Sequence, residues 1–125
     1  MSAANKAHNC VIVGETPQGD LLLIPICTYH SRCDCTCVID RNDSILDSKK
    51  RAVEHKSFAA YYEGKLVSKK AYIKRINNNE ITYLGCITSL LLARIHDGFS
   101  ISAEVKGHIS TAYKSMLPNA PLSNQ

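Results

Sequence analysis

Residues 21–28 of this chain read LLLIPICT, an unbroken apolar run of strand length. The turn sequence PQGD precedes it at residues 17–20, and a shorter apolar stretch, CVIV, occupies residues 10–13. Apolar runs bounded by turn residues predict buried strands, and these two predict a β-hairpin. At Thr28 the run changes abruptly to the polar sequence TYHSR. Binding residues often lie where a rigid strand opens into a loop, so we expect a functional site there.

The rest of the pattern predicts short strands first and helices last. The stretch 49–63 fits either a helix begun by Ser48 or a strand. The other predicted elements are a strand at 35–39, turns at 40–44 and 77–79, a helix at 89–97 between Thr88 and Gly98, and a helix at 103–116 with Glu104 in its first turn. This order predicts an α+β fold, a curled five- or six-stranded antiparallel sheet closed by C-terminal helices.

Length and composition set the class of protein. A chain of 125 residues has room for one core, and we assign a single domain to residues 1–117 and a flexible tail to 118–125. An apolar fraction of 45% is typical of a folded protein. The apolar runs are too short to cross a bilayer, so no membrane partner is expected. The N-terminus has no signal-peptide pattern, and we expect a cytoplasmic protein with reduced cysteines.

The charge is unevenly distributed along the chain. Residues 49–75 contain nine basic and two acidic side chains, whereas residues 15–47 contain six acidic and two basic ones. A basic block of this kind can neutralise phosphates and bind nucleic acid. It also fits an ordinary solvated face of a basic protein.

Three cysteines stand at alternate positions in the sequence CDCTC, residues 33–37. In a strand their sulfurs would share one face, which invites a zinc or copper site or a regulatory thiol. Structural zinc sites favour paired C-x-x-C motifs, and this chain has none. We therefore predict structural cysteines, with no metal and no cofactor.

Two segments resemble a known family. The sequences HNCVIV at residues 8–13 and GDLLLIPICT at 19–28 resemble the first half of the PemK/MazF-like toxins, in which a strand ending in Pro-Val-Thr follows an apolar one. Residues 36–38, 57–61 and 91–98 look like bacterial proteins related to that superfamily. The resemblance implies an SH3-like small barrel belonging to a toxin–antitoxin system. It also implies that RNA is the substrate, and it is compatible with two protein partners, an antitoxin and a second copy of the chain.

In those toxins an arginine before the first strand and the threonine ending the next act on the scissile phosphate. Thr28 matches the threonine, whereas residues 6–9, KAHN, contain no arginine, and His8 is the candidate to replace it. Cleavage by 2′-hydroxyl attack needs a base, an acid and positive charge. The catalytic candidates are His8, Thr28 and His55. The nucleic-acid-binding candidates are Tyr29, His30, Arg32, Lys49, Lys50, Arg51, Lys56, Tyr61, Lys69 and Lys70.

Two functions follow from these observations. The first is a PemK/MazF-like toxin that binds single-stranded RNA and acts as an endoribonuclease, with binding ranked ahead of cleavage. The alternative is a barrel without catalytic activity that binds nucleic acid or protein.

Overall fold

The computed structural model describes residues 9–44 and 46–117 of the chain. Its elements, in chain order, are β1 (Cys10–Glu15), β2 (Asp20–Thr28), β3 (Val38–Ile39), β4 (Ser57–Ala59), β5 (Lys65–Ser68), α1 (Lys69–Asn77), α2 (Ser89–Gly98) and α3 (Gly107–Met116). Two 3₁₀ turns, Arg41–Ser44 and Tyr61–Glu63, lie between them. The five strands form a curled antiparallel half-barrel, which with its helices confirms the predicted α+β class.

Strand β2 organises the sheet. Its first half pairs with β1 on one edge and with β5 on the other, whereas residues 26–28 pair with β4. Pro25, which has no N–H to donate, stands where the partner changes from β5 to β4. All of residues 21–26 are buried, which explains why the sequence lacks the polar alternation of a half-exposed strand.

The core lies between one face of this sheet and the helices. Leu22 and Ile24 of β2 pack in it with Ile95 of α2 and Ile109 of α3, and all four side chains are fully buried. Burying one such side chain contributes about 1.5–3 kcal/mol, so these contacts hold the helices on the sheet. The predicted hairpin and both predicted C-terminal helices are therefore present.

The boundaries of α2 agree closely with the prediction. The Thr88 hydroxyl accepts a hydrogen bond from the Leu91 N–H at 3.1 Å, as an N-cap should, and the helix ends at Gly98. Helix α3 begins at Gly107 instead of residue 103. The residues before it are held in a turn, because the Ser102 hydroxyl accepts a hydrogen bond from the Glu104 N–H at 3.1 Å.

Two other predictions are corrected by the structure. The strand expected at 35–39 is reduced to Val38–Ile39, because the Asp34 carboxylate accepts hydrogen bonds from the N–H and the hydroxyl of Thr36 and holds a turn there. The stretch 49–63 is neither one helix nor one long strand, since its one strand is Ser57–Ala59 and Arg51 forms an isolated bridge. Helix α1 was not predicted, although the turn at 77–79 that ends it was.

Candidate nucleic-acid interface

The end of β2 meets the start of β4 at one rim of the sheet. Thr28, which is exposed, lies opposite Ser57 in the antiparallel ladder. One further hydrogen bond, from the Tyr29 N–H to the Lys56 carbonyl at 3.0 Å, continues the pairing beyond the strand ends. The backbone therefore fixes Tyr29 and Lys56 side by side, next to Thr28.

The side chains of this pair are in contact. The Lys56 ammonium lies 4.2 Å from the centroid of the Tyr29 ring. A cation–π contact at an exposed site contributes about 0.5–1 kcal/mol, enough to favour one orientation of an otherwise free lysine. The negative charge that Cys35 carries when ionised, and its hydrogen bond with the phenol, raise the pKa of Tyr29 above its ordinary value of 10.0.

His30 is oriented from two sides. Its ring packs edge-on against Phe58, with the centroids 5.7 Å apart, and its Nδ1 accepts a hydrogen bond from the Arg32 N–H at 3.2 Å. A nitrogen that accepts cannot carry the proton, so the neutral ring has its proton on Nε2. The backbone turns between these residues, since the Cys33 N–H donates to the His30 carbonyl.

His55 lies just before β4. The Ser57 hydroxyl donates to the His55 carbonyl at 2.8 Å, and the His55 side chain is exposed. The structure thus gathers six of the predicted site residues at one rim, and we call them the Thr28 surface: Thr28, Tyr29, His30, Arg32, His55 and Lys56. The predicted catalytic residue His8 lies outside the described residues.

Lys69 and Lys70 do not join the Thr28 surface. They follow β5, and the Lys69 N–H donates to the Gly19 carbonyl at the hairpin turn. The eight residue steps of β2 separate that turn from Thr28 by roughly 26 Å along the strand, at about 3.3 Å per step. The Lys69 ammonium is also paired with Glu15 at 2.9 Å.

Tyr61 must likewise be removed from the nucleic-acid-binding candidates. Its side chain is fully buried, and its hydroxyl donates to the Ile95 carbonyl at 2.7 Å. Of the two adjacent tyrosines it is Tyr62 that is exposed, at 41%. A ring enclosed in the core cannot stack on a base.

The predicted residues Lys49, Lys50 and Arg51 belong to a loop that packs on another segment. Asp47 accepts a hydrogen bond from the Cys86 N–H at 3.0 Å, and the Ser48 hydroxyl donates to the Leu84 carbonyl at 2.9 Å. These bonds hold the loop near the start of β1, where the Ala52 carbonyl accepts from the Asn9 side chain. Lys49 and Lys50 are exposed there, and among the described residues no ion pair joins them to the Thr28 surface.

A shallow cavity adjoins the Thr28 surface. Its volume is about 170 Å³, and its walls are His30, Arg32, Cys33, Asp34, Phe58, Tyr62 and Glu104. Three of these residues are aromatic or heteroaromatic, one is a cation and two are acids. The sequence analysis did not include Phe58, Tyr62 or Glu104 among the site residues, because only the fold places them beside His30 and Arg32.

Hydrogen bonds organise the acidic wall of the cavity. The Asp34 Oδ2 accepts from the Ser102 hydroxyl at 2.5 Å, and Ser102 in turn accepts from the Glu104 N–H. Burial alone would favour the neutral Asp34 carboxyl, but the hydrogen bonds from Ser102 and Thr36 outweigh it and lower the pKa. Asp34 is therefore ionised at neutral pH and fixes the loop that carries Glu104.

The three cysteines of residues 33–37 do not share one face. Cys37 is buried, Cys35 is exposed and Cys33 is partly exposed, because this stretch is a turn and not a strand. Within residues 9–44 and 46–117, no three histidine, cysteine or acidic side chains are grouped closely enough to hold a metal ion. Burial raises the pKa of the Cys37 thiol, which keeps it unreactive.

A second cavity, larger than the one beside the Thr28 surface, lies elsewhere. A groove of about 690 Å³ runs along the opposite face of β1, β2 and β5, beneath residues 80–87. Its lining includes Leu23 and Pro25 of β2 and the exposed ring of Tyr83. None of the described residues that the sequence predicted for the site lines it. No short motif marks this groove, because it depends on how residues 80–87 cross the sheet.

No family model, curated protein or solved structure matches this chain. Among the described residues, no helix has the length and apolar character needed to cross a membrane.

Proposed function

We propose that the chain binds single-stranded RNA at the Thr28 surface. The observation that carries the proposal is the Lys56 ammonium held over the Tyr29 ring, beside Thr28 at an open rim of the sheet. Proteins that hold single strands combine aromatic rings, on which bases stack, with cations that attract the phosphates. Arg32, which lines the adjoining cavity together with His30, supplies a further cation.

Cleavage is the second step of the proposal. Attack by the ribose 2′-hydroxyl requires a group that takes its proton, a group that protonates the departing 5′-oxygen, and donors to the phosphate. In this chain His55 and His30 are the candidates for the two proton transfers, one taking the proton of the 2′-hydroxyl as its oxygen bonds to phosphorus and the other protonating the 5′-oxygen as its bond to phosphorus breaks. The Thr28 hydroxyl is the candidate donor to a non-bridging oxygen. The role of Thr28 and the proposed antitoxin partner follow the resemblance to the PemK/MazF-like toxins, whereas the histidines are chosen for the proton-transfer chemistry of imidazole. We also propose a cytoplasmic location.

Binding can be tested by the fluorescence anisotropy of labelled octauridine at increasing salt. For single strands the log–log slope is about −0.7 for each phosphate contact. We expect Lys56→Gln to weaken binding and to flatten the slope by about 0.7, because one contact is lost. The matched control is Lys70→Gln at the far end of the sheet, which removes the same charge and should leave the slope unchanged. Absence of binding at low salt would refute the proposal.

Cleavage is tested separately, on a mixed-sequence RNA analysed for 2′,3′-cyclic phosphate ends. We expect Thr28→Ala and His55→Asn each to lower the cleavage rate by about a hundredfold, in the range that one catalytic group contributes, while RNA still binds. If neither variant changes the rate, the two residues have no catalytic role.

The groove beneath residues 80–87 favours the alternative function, a protein-binding barrel. An amphipathic groove of about 690 Å³ is of a size that ligands and peptide side chains occupy, and Tyr83 at its edge is 57% exposed. Backbone NMR shifts distinguish the two functions. RNA that perturbs Tyr29 and Lys56 supports the first, whereas RNA without effect on any resonance leaves the protein-binding function in front.

A further inference from the structure

The cavity beside the Thr28 surface has the dimensions of a subsite for one planar ring. Its volume of about 170 Å³ equals that of about six water molecules at roughly 30 Å³ each. Phe58 lines it but is almost fully buried, and the exposed His30 ring stands nearly perpendicular to Phe58, at 85°. A flat heterocycle fits against such walls, whereas a whole nucleotide with its phosphate does not.

The polar groups of the cavity differ in their capacity to bind a ligand. The Asp34 Oδ1 already accepts from Thr36 and its Oδ2 from Ser102, so this carboxylate is engaged within the protein. The Glu104 carboxylate accepts no hydrogen bond and forms no ion pair among the described residues. Its backbone is nevertheless fixed, because the Glu104 N–H donates to Ser102. The cavity therefore offers one carboxylate, carried on a fixed backbone, whose two oxygens accept no hydrogen bond from the described residues.

A carboxylate with both oxygens available selects a ligand with two adjacent donors. Guanine is the one RNA base whose Watson–Crick edge presents two neighbouring donors, N1–H and the N2 amino group. Cytosine and adenine present one amino group beside an acceptor, and uracil presents one N–H between two carbonyls. Arg32, on another wall of the cavity, is a donor that suits the guanine O6 acceptor.

We propose that this cavity is a guanine-selective subsite, in which the Glu104 carboxylate accepts both donors of the base. The inference rests on the proposed RNA binding and names the base that this surface prefers. Glu104 contacts the ligand directly, whereas Asp34 and Ser102 are positioning residues that hold the loop of Glu104 at the cavity.

The test compares octauridine with the same oligomer carrying one central guanosine or inosine, by fluorescence anisotropy at fixed salt. We expect the guanosine oligomer to bind roughly tenfold more tightly than octauridine, the discrimination typical of one bidentate base contact. Inosine keeps N1–H and O6 but lacks the amino group, so it should lose most of this preference. Because the inosine comparison uses the unaltered protein, it does not depend on the folding of any variant.

The protein variants complete the test. Glu104→Gln should reduce the ratio of guanosine to uridine affinity to about one, since an amide cannot accept two hydrogen bonds side by side. The matched control, Glu15→Gln at the hairpin end, removes the same charge and should leave the ratio near ten. Equal affinities for all three oligomers, or an unchanged ratio in Glu104→Gln, would overturn the guanine subsite while RNA binding stands. Absence of binding to every oligomer would overturn both proposals together.

Discussion

At the scale of single residues, one contact in the core allows no substitution. A Cβ added to Gly98 would lie 1.9 Å from the Tyr61 hydroxyl oxygen, far inside van der Waals distance. The tyrosine cannot move aside, because it is fully buried and its hydroxyl is bonded to the Ile95 carbonyl. The ring of Phe99 also packs edge-on against it, with centroids 5.0 Å apart. Gly98 is therefore required for space.

We predict that Gly98→Ala lowers the free energy of unfolding by about 3 kcal/mol, the upper part of the range for overpacking a core. Urea denaturation followed by circular dichroism measures this change. Gly107→Ala is the matched control, since nothing lies within 4 Å of a Cβ at that position. In the first turn of α3, alanine should be neutral or stabilising by up to about 1 kcal/mol. Equal stabilities for the two variants would contradict the close contact.

At the scale of elements, the N-cap of α2 is a local signal with a measurable effect. The Thr88 hydroxyl accepts the Leu91 N–H, and α2 contributes the buried residues Leu91 and Ile95 to the core. We predict that Thr88→Ala destabilises the protein by about 1 kcal/mol and that Thr88→Ser, which keeps the hydroxyl, recovers most of the loss. Thermal denaturation of both variants tests this. A loss of the same size in the serine variant would point away from capping.

Elements with local signals were predictable and the others were not. The hairpin of β1 and β2 and the helix α2 carry apolar runs, turn residues and a cap within their own sequence. Helix α1 has no buried residue, so its sequence carries no core-facing stripe to recognise. The strand expected at 35–39 failed because alternation alone does not show that Asp34 captures the N–H of Thr36.

At the scale of the whole molecule, one part of the candidate site was predictable from the sequence and another part was not. The rim around Thr28 was predictable, because a buried strand that ends in polar residues is visible in the sequence. The cavity was not, since it depends on the hydrogen bond between Ser102 and Asp34, 68 residues apart. The sequence also did not show that Lys69 and Lys70 lie apart from the basic residues of the rim. They follow β5, which pairs with the first half of β2, and therefore lie at the end of the sheet opposite to Thr28.

Folding also favours the neutral form of several phenols and thiols. Burial raises the pKa of the Tyr61 phenol well above its ordinary value of 10.0, and burial raises the pKa of Cys37 above 9.0. A hydrogen bond with Glu63 raises the pKa of Tyr62 to about 12. When the chain unfolds, each group returns to its lower pKa and releases a proton at alkaline pH. Stability is therefore complete below the unfolded pKa values and falls as the pH rises above them.

We predict that the free energy of unfolding is flat between about pH 6 and pH 8 and declines at higher pH, first through the thiols and then, above about pH 10, through the phenols. Each group that is neutral when folded and ionised when unfolded contributes about 1.4 kcal/mol per pH unit to the decline.

The variant Tyr61→Phe tests this prediction most directly. It should be less stable than the unaltered protein by about 1 kcal/mol at neutral pH, because the bond to the Ile95 carbonyl is lost. Above about pH 10 the free energy of unfolding of this variant should decline less steeply, by about 1.4 kcal/mol per pH unit, because phenylalanine has no ionisable group. Urea denaturation at a series of pH values gives both quantities, and absorbance of the phenolate should show Tyr61 ionising only as the chain unfolds. Parallel declines in the two proteins would show that the Tyr61 phenol ionises as readily in the folded molecule as in the unfolded chain.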